Sequence, residues 1–226
     1  IIDPIEELAA LAVEKGVGMH VDGCLGGFFL PFMRAAGHAV PPFDFAVPGV
    51  TSMSLDTHKY AFASKGSSVV LFRSNELRRY MYSFCLDWSG GIYATPTTAG
   101  SRPGGVIAAT WAALVSIGHA GYVEIVDSIV KAREAIVRET RSIPGLEIVG
   151  NPQAMVIAYR TDGSFSIYDV LDHMSTAGYS LNGLQHPSAI HLCLTKLHTT
   201  KEFQDRFAAD LRRAVEKAKI EGGKEG

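Results

Sequence analysis

The sequence predicts an α/β fold: part of a large domain built on a mostly parallel sheet, followed by a small α+β domain. Three observations carry this. A helical pattern over 3–15 passes within two residues into a strand pattern over 17–22, the order found in βαβ units. Two further short strands, 50–55 and 68–72, flank the loop 56–65. After Pro144-Gly145 the pattern changes to short strands mixed with amphipathic helices. The expected boundaries are 1–120 for the large-domain part, 121–144 for a connecting helix and 145–226 for the small domain.

Each element has a local reason. Asp3-Pro4-Ile5-Glu6 reads as a helix start, with Asp3 as cap and Pro4 in the first position. Ile5, Leu8, Ala9, Leu11 and Ala12 form its apolar face, and Gly16 stops it. Met19-His20-Val21-Asp22 is a short strand ending in a carboxylate, followed by a glycine-rich turn over 22–27. The strands 50–55 and 68–72 suggest a hairpin-like excursion that holds Lys59 over the sheet edge. The stretch 86–105 is polar, glycine-rich and aromatic, and so long an irregular segment is usually functional. Small apolar residues over 106–117 predict a helix buried on most sides. Tyr122, Ile125, Val126, Ile129, Ala132, Ile136 and Val137 mark a longer amphipathic helix. Strands are expected at 146–149, 155–159 and 190–195, and helices at 166–177 and 200–220, the last with a Thr199…Glu202 capping box. The tail over 221–226 is expected to fray.

Composition narrows the function classes. The chain has 226 residues, 47% hydrophobic and 19% charged, with a net charge of −2. Lys and Arg are scattered, which argues against a nucleic-acid surface. Cys24, Cys85 and Cys193 show no paired spacing, so a reducing compartment is the default. No apolar run is read as a membrane span, and no signal-peptide pattern opens the chain. The chain opens on Ile1-Ile2 rather than Met, as if a strand or turn were already in progress. A fragment or ordered remnant of a longer protein is therefore expected.

The chemistry concentrates at Asp56-Thr57-His58-Lys59. The chain holds no other charged side chain from Phe45 to Leu55. Burial disfavours an ammonium ion, so a lysine placed there is expected to release its proton and attack a carbonyl. That is the requirement for a Schiff base with an aldehyde cofactor. Asp22 beyond one strand and Lys59 beyond another make the two-point hold that pyridoxal phosphate needs, the acid pairing with the ring nitrogen. Cys24 lies against the cofactor face or is a buried structural cysteine. His58 is a packed polar residue, or donates to a cofactor phosphate, or shuttles a proton. Lys65-Gly66-Ser67-Ser68 is a turn or an anion contact. Tyr93 and Arg102 sit in Gly/Pro loops; a tyrosine there can move protons, and an arginine can clamp phosphate or carboxylate or brace its loop. A metal reading of His20, Asp22, Asp56 and His58 fits no closed zinc pattern. No G-x-S-x-G, H-E-x-x-H or C-x-x-C string occurs.

Taken together, five strings resemble the sphingosine-1-phosphate lyase family. They are His20-Val21-Asp22-Gly23-Cys24-Leu25-Gly26-Gly27, Asp56-Thr57-His58-Lys59-Tyr60, Lys65-Gly66-Ser67-Ser68, Gly90-Gly91-Ile92-Tyr93 and Ala99-Gly100-Ser101-Arg102-Pro103-Gly104-Gly105. That family lies within the pyridoxal-phosphate decarboxylases of aspartate-aminotransferase fold. The likeness continues through Trp111-Ala112-Ala113-Leu114, Gly121-Tyr122-Val123-Glu124 and Gly150-Asn151-Pro152-Gln153. It implies that Lys59 bonds to pyridoxal 5′-phosphate, that Asp22 holds the ring nitrogen and that His58 lies by the cofactor phosphate. Lys65 and Tyr93 are implied near the substrate amine and phosphate or in proton transfer, Tyr93 in the neighbouring subunit's site. It also implies a homodimer with shared pockets and an N-terminal half that lies outside these residues.

The implied reaction is retro-aldol cleavage of a phosphorylated sphingoid base into a long-chain aldehyde and phosphoethanolamine. The alternatives are an amino-acid decarboxylase of the same fold and an inactive dimerisation or scaffold fragment. A bacterial member would be cytoplasmic; a eukaryotic one would be anchored to the endoplasmic reticulum, with this segment itself soluble.

Overall fold

The computed structural model describes residues 1–222. The chain divides into two compact units, one from Asp3 to Val123 and one comprising Ile1–Ile2 and everything from Glu124 onward.

The first unit opens with α1 (Ile5–Glu14), which buries Ile5, Ala9 and Ala12. Leu8 and Leu11, expected on that face, are 44% and 50% exposed. Asp3 does not cap the helix: Pro4 takes the cap position, and no side chain bonds there. The chain then enters β1 (Met19–Asp22), turns, forms α2 (Leu30–Ala35) and returns through β2 (Val50–Asp56). β1 and β2 are parallel, with His20 opposite Ser52 and Asp22 opposite Ser54. β3 (Ser68–Phe72) pairs antiparallel with the far side of β2, giving the order β1-β2-β3. The sheet is thus mixed rather than mostly parallel within these residues. The reason is the short loop after β2, because a parallel return needs a crossover.

The core of this unit lies beneath the turn that follows β2. Phe29 meets Tyr60 edge-to-face at 5.1 Å. Tyr122 stacks on Phe32 at 4.8 Å and donates its hydroxyl proton to the Ala61 carbonyl at 2.7 Å. That buried bond clamps the backbone just after Lys59.

Gly49 sets the approach of α1 to this sheet. Its φ is +96°, and a Cβ added there would lie 2.7 Å from the Ala9 carbonyl oxygen. Both the left-handed backbone and the clash are costly. Gly49→Ala is expected to cost about 3 kcal/mol of stability. Urea unfolding of the two proteins checks this; an unchanged midpoint would contradict it.

Beyond α3 (Asn75–Arg78), the short β4 (Ser83–Cys85) and β5 (Tyr93–Thr95) form an antiparallel hairpin. The expectation of an irregular stretch over 86–105 is corrected here: three-residue strands in which only Thr95 is partly covered carry no alternation signal. α4 (Gly104–Thr140) is broken at Gly118, where φ is 63° and ψ is 171°. Its first stretch is not buried as expected: Ile107, Trp111 and Val115 are 54%, 67% and 61% exposed. α4 also contains an 18-residue window of mean hydropathy 1.5, of which 6% is buried. By length and composition it can cross a membrane, contrary to the sequence reading. The break leaves 104–117 as a separate stretch of about 21 Å at 1.5 Å per residue, short of a hydrocarbon core of about 30 Å.

The second unit takes α4 from Glu124 onward, burying Val126, Ile129, Val130 and Ile136. Its sheet is antiparallel throughout, in the order β6-β7-β9-β8, from β6 (Leu146–Ile148), β7 (Val156–Thr161), β8 (Asn182–Leu184) and β9 (Ala189–Cys193). β8 lies outside the strands expected from the sequence, being three residues long and mostly exposed. Two helices, α5 (Ile167–Thr176) and α6 (Lys201–Gly222), pack together and contribute Val170, Met174, Phe207, Leu211 and Val215 to the core. Tyr159 is fully buried, with its hydroxyl 3.2 Å from Thr140 Oγ1. The capping box sits earlier than expected, at Thr195 and His198 in a short 3-10 turn. Thr199 instead donates to the Lys196 carbonyl. Glu221 and Gly222 still belong to α6, and the rest of the tail expected to fray lies outside the described residues.

Candidate active site

The parallel pairing of β1 and β2 brings their carboxyl ends together, where ligands bind in open α/β sheets. Asp22 ends β1. Its Oδ1 accepts the Cys24 backbone N–H at 3.0 Å and the Ser54 hydroxyl at 3.4 Å. These bonds, with the nearby Lys59 charge, hold the Asp22 carboxyl below its ordinary range; the Cys24 backbone bond is the largest cause.

Asp56 ends β2 and starts the turn that carries His58 and Lys59. Lys59 Nζ lies 3.0 Å from Asp56 Oδ2. The Ser68 hydroxyl donates to the other oxygen, Oδ1, at 2.9 Å. The Lys59 bond is the main reason that the Asp56 carboxyl is also held low. The Cys24 side chain also lies beside Lys59 and favours its charged form. Cys24 thus stands between the two ends of the site, its backbone N–H on Asp22 and its side chain near Lys59.

This corrects the expected state of the amine. Lys59 is 31% exposed, and its pKa is raised rather than lowered. Cys24 raises it most; desolvation pulls the other way, and Asp56 adds to the rise. The amine is stored as an ammonium ion. The sign follows from both partners: the pair's stabilisation is complete between the ordinary values of 3.8 and 10.5. It is lost as pH falls through the lowered Asp56 value or rises through the raised Lys59 value. Cofactor-free protein is therefore expected to capture an aromatic aldehyde faster as pH climbs from 7 towards 10. Asp56→Asn should shift that profile to lower pH, and an unshifted profile in stopped-flow absorbance would contradict the pairing.

His58 is half-buried, with Nδ1 3.4 Å from the Ser67 carbonyl and Nε2 4.0 Å from Asp56 Oδ2. Thr57, almost fully buried, donates to the same Ser67 carbonyl at 3.0 Å, and Ser67 Oγ lies 3.0 Å from Thr110 Oγ1. These bonds fix the far side of the Lys59 turn. Two residues outside the predicted set, Ser54 and Ser68, turn out to hold the two carboxylates. Strand register is the signal for Ser54, which stands opposite Asp22, while Ser68 lies in the Lys65–Ser68 string.

The remaining predicted residues lie elsewhere in this unit. Lys65 is exposed on the turn before β3. Tyr93, on β5, is 47% exposed and meets Trp88 edge-to-face at 6.4 Å. Arg102 donates to the Gly100 carbonyl at 3.1 Å, to the Ser101 carbonyl at 2.9 Å and to Thr97 Oγ1. Its guanidinium is spent on bracing its own loop. With Ser54, Ser67, Ser68, Val106 and Ile107 it lines a cleft of about 430 Å³.

The donor set fits pyridoxal phosphate. A carboxylate held ionised suits a protonated ring nitrogen, and an amine at the end of the next strand suits the aldehyde. The comparisons agree. Residues 2–162 match the family model described as the pyridoxal-dependent decarboxylase conserved domain. The chain is 47% identical to the sphingosine-1-phosphate lyase of Dictyostelium discoideum over 223 residues, 99% of this chain and 41% of that protein. It is 48% identical to sphingosine-1-phosphate lyase 1 of Rattus norvegicus, covering 95% of this chain and 38% of that one. The chain thus spans about two-fifths of the length of the curated relatives it matches. Among solved structures, a sphingosine-1-phosphate lyase of Burkholderia pseudomallei superposes with a TM-score of 0.91 at 46% identity, over 99% of this chain and 51% of that one. Glutamate decarboxylase of Lactobacillus brevis shares the fold, with a TM-score of 0.77 at 19% identity, over 96% of this chain and 52% of that one. With the Asp22 and Lys59 ends of the site inside the matched span, the chain belongs to the pyridoxal-dependent decarboxylase family, whose cofactor is pyridoxal 5′-phosphate.

Proposed function

We propose that the whole protein cleaves a phosphorylated sphingoid base by retro-aldol reaction, releasing a long-chain aldehyde and phosphoethanolamine. The observation that carries this is Asp22 and the Asp56-paired Lys59 at the adjacent carboxyl ends of a parallel strand pair, in a chain 40–48% identical to curated sphingosine-1-phosphate lyases. Bound pyridoxal phosphate supplies the electron sink for the breaking C2–C3 bond. Lys59 would hold the cofactor aldehyde, giving up its ammonium proton to solvent, while Asp56 stays ionised beside it and orients the amine. Asp22, held ionised by Cys24 and Ser54, would pair with the ring nitrogen and favour its protonated form. The Tyr93 hydroxyl moves a proton at the substrate, Lys65 meets the phosphate and His58 faces the cofactor phosphate. Arg102 shapes the cleft by holding the 97–102 loop.

Two copies of the protein build each site in this reading. Its support is apolar surface on the first unit: Trp111 at 67%, Phe84 at 68% and Ile92 at 81% exposure, with Tyr93 on the same hairpin as Phe84. Large exposed apolar patches mark interaction surfaces, and these side chains are the candidates to form one.

The test is incubation of the full-length protein with a sphingoid-base phosphate and, separately, with glutamate or an aromatic amino acid. Aldehyde and phosphoethanolamine are expected from the first and no carbon dioxide from the second. Carbon dioxide release without aldehyde would make it a decarboxylase.

A further inference from the structure

The β1–β2 register places a polar ladder on the face that carries Asp22. His20 and Asp22 are two apart on β1 and share that face, and Ser52 and Ser54 stand opposite them on β2. Side chains bridge the ladder in sequence. His20 Nδ1 is 2.9 Å from Ser52 Oγ, His20 Nε2 is 3.0 Å from Ser54 Oγ, and Ser54 donates to Asp22 Oδ1 at 3.4 Å. The hydrogens have one consistent order when the imidazole is neutral. Ser54 has a single proton and commits it to Asp22, so it accepts from His20 Nε2–H. His20 Nδ1 then accepts from Ser52.

We propose that His20 is a positioning residue that acts on the cofactor through Ser54, holding the Asp22 carboxylate in the orientation that grips the ring nitrogen. This rests on the reading of Asp22 given above. Three supports make the chain effective. The strand pairing, rather than flexible side chains, sets the spacing of its members. The Cys24 N–H holds the same Asp22 oxygen, so losing the Ser54 bond removes one of the two donors that fix it. Hydrogen bonds in series polarise one another, so an imidazole two links away strengthens the last bond to the carboxylate.

The test titrates cofactor-free full-length protein with pyridoxal 5′-phosphate, followed by tryptophan fluorescence, in wild type, His20→Ala, His20→Gln, Ser54→Ala, Asp22→Asn and the His20→Ala/Asp22→Asn double variant. His20→Ala and Ser54→Ala are each expected to weaken cofactor binding about tenfold, as losing one such bond does. His20→Gln, which keeps a donor toward Ser54, should recover most of it. In the Asp22→Asn background, His20→Ala should change nothing further, because the effect runs through that carboxylate. Turnover should show the same pattern in kcat with KM held. An equal loss in both backgrounds, a Gln variant no better than Ala, or no loss at all would overturn the proposal. Wild-type protein that binds no pyridoxal phosphate would instead bring down the reading of Asp22, and this proposal with it. Circular dichroism on His20→Gln and Ser54→Ala separates misfolding from lost positioning.

Discussion

Full-length protein carrying Lys59→Ala should bind pyridoxal phosphate without bonding to it. Borohydride should then fix no cofactor to the chain, and the visible band near about 420 nm of the bonded form should vanish. Turnover is expected to fall by about a thousandfold or more, since covalent capture and release of the aldehyde is a whole step and not one contact within a step. The geometry says why no neighbour will substitute. The Lys59 amine is set by Asp56 at 3.0 Å and by Cys24, and its turn is clamped below by the Tyr122–Ala61 bond. Lys65, six residues on, is exposed on a different turn. A persisting band that borohydride still fixes would mean that another lysine does the work.

Asp22→Asn is expected to cost about a hundred- to a thousandfold in kcat, with a smaller change in cofactor affinity. The substitution keeps size and most hydrogen bonding but removes the negative charge. Cys24 and Ser54 hold that charge in place, and it lies close enough to interact with the Lys59 ammonium. Without it the ring nitrogen loses its proton, and the ring accepts electrons poorly from a breaking bond. A variant with wild-type kcat would show that the carboxylate only fills space.

Much of this site was legible because its parts are contiguous. Asp22 ends a four-residue strand, and Lys59 follows a stretch with no charge from Phe45 to Leu55, so both stand out along the chain. The β2–β3 hairpin was equally plain, bounded by its loop. What failed to show was whatever depends on register between strands. The bonds from Ser54 to Asp22 and from His20 to Ser54 join residues more than thirty positions apart. Nor did the flanking sequence reveal that Lys59 would be paired with Cys24 and Asp56 and thereby kept protonated: apolar neighbours signal desolvation, whereas the partners are polar atoms brought in by the turn. Helix faces erred for a related reason. Apolar content over 106–117 announces that a surface wants cover, but not whether nearby residues provide it, and Trp111 stands open. Caps misled too, since Asp3 was matched to a pattern that Pro4 displaced by one residue.

β3 has a consequence for handling these residues by themselves. It stands last in the order β1-β2-β3, reads Ser-Val-Val-Leu-Phe, carries no charge and no proline, and leaves Val70 and Leu71 47% and 42% exposed. Among the described residues its outer row of peptide groups has no strand beside it, which makes it a template for intermolecular zippering. Concentration and refolding regime, more than thermal tolerance, would then decide whether a preparation of this piece stays dispersed or precipitates.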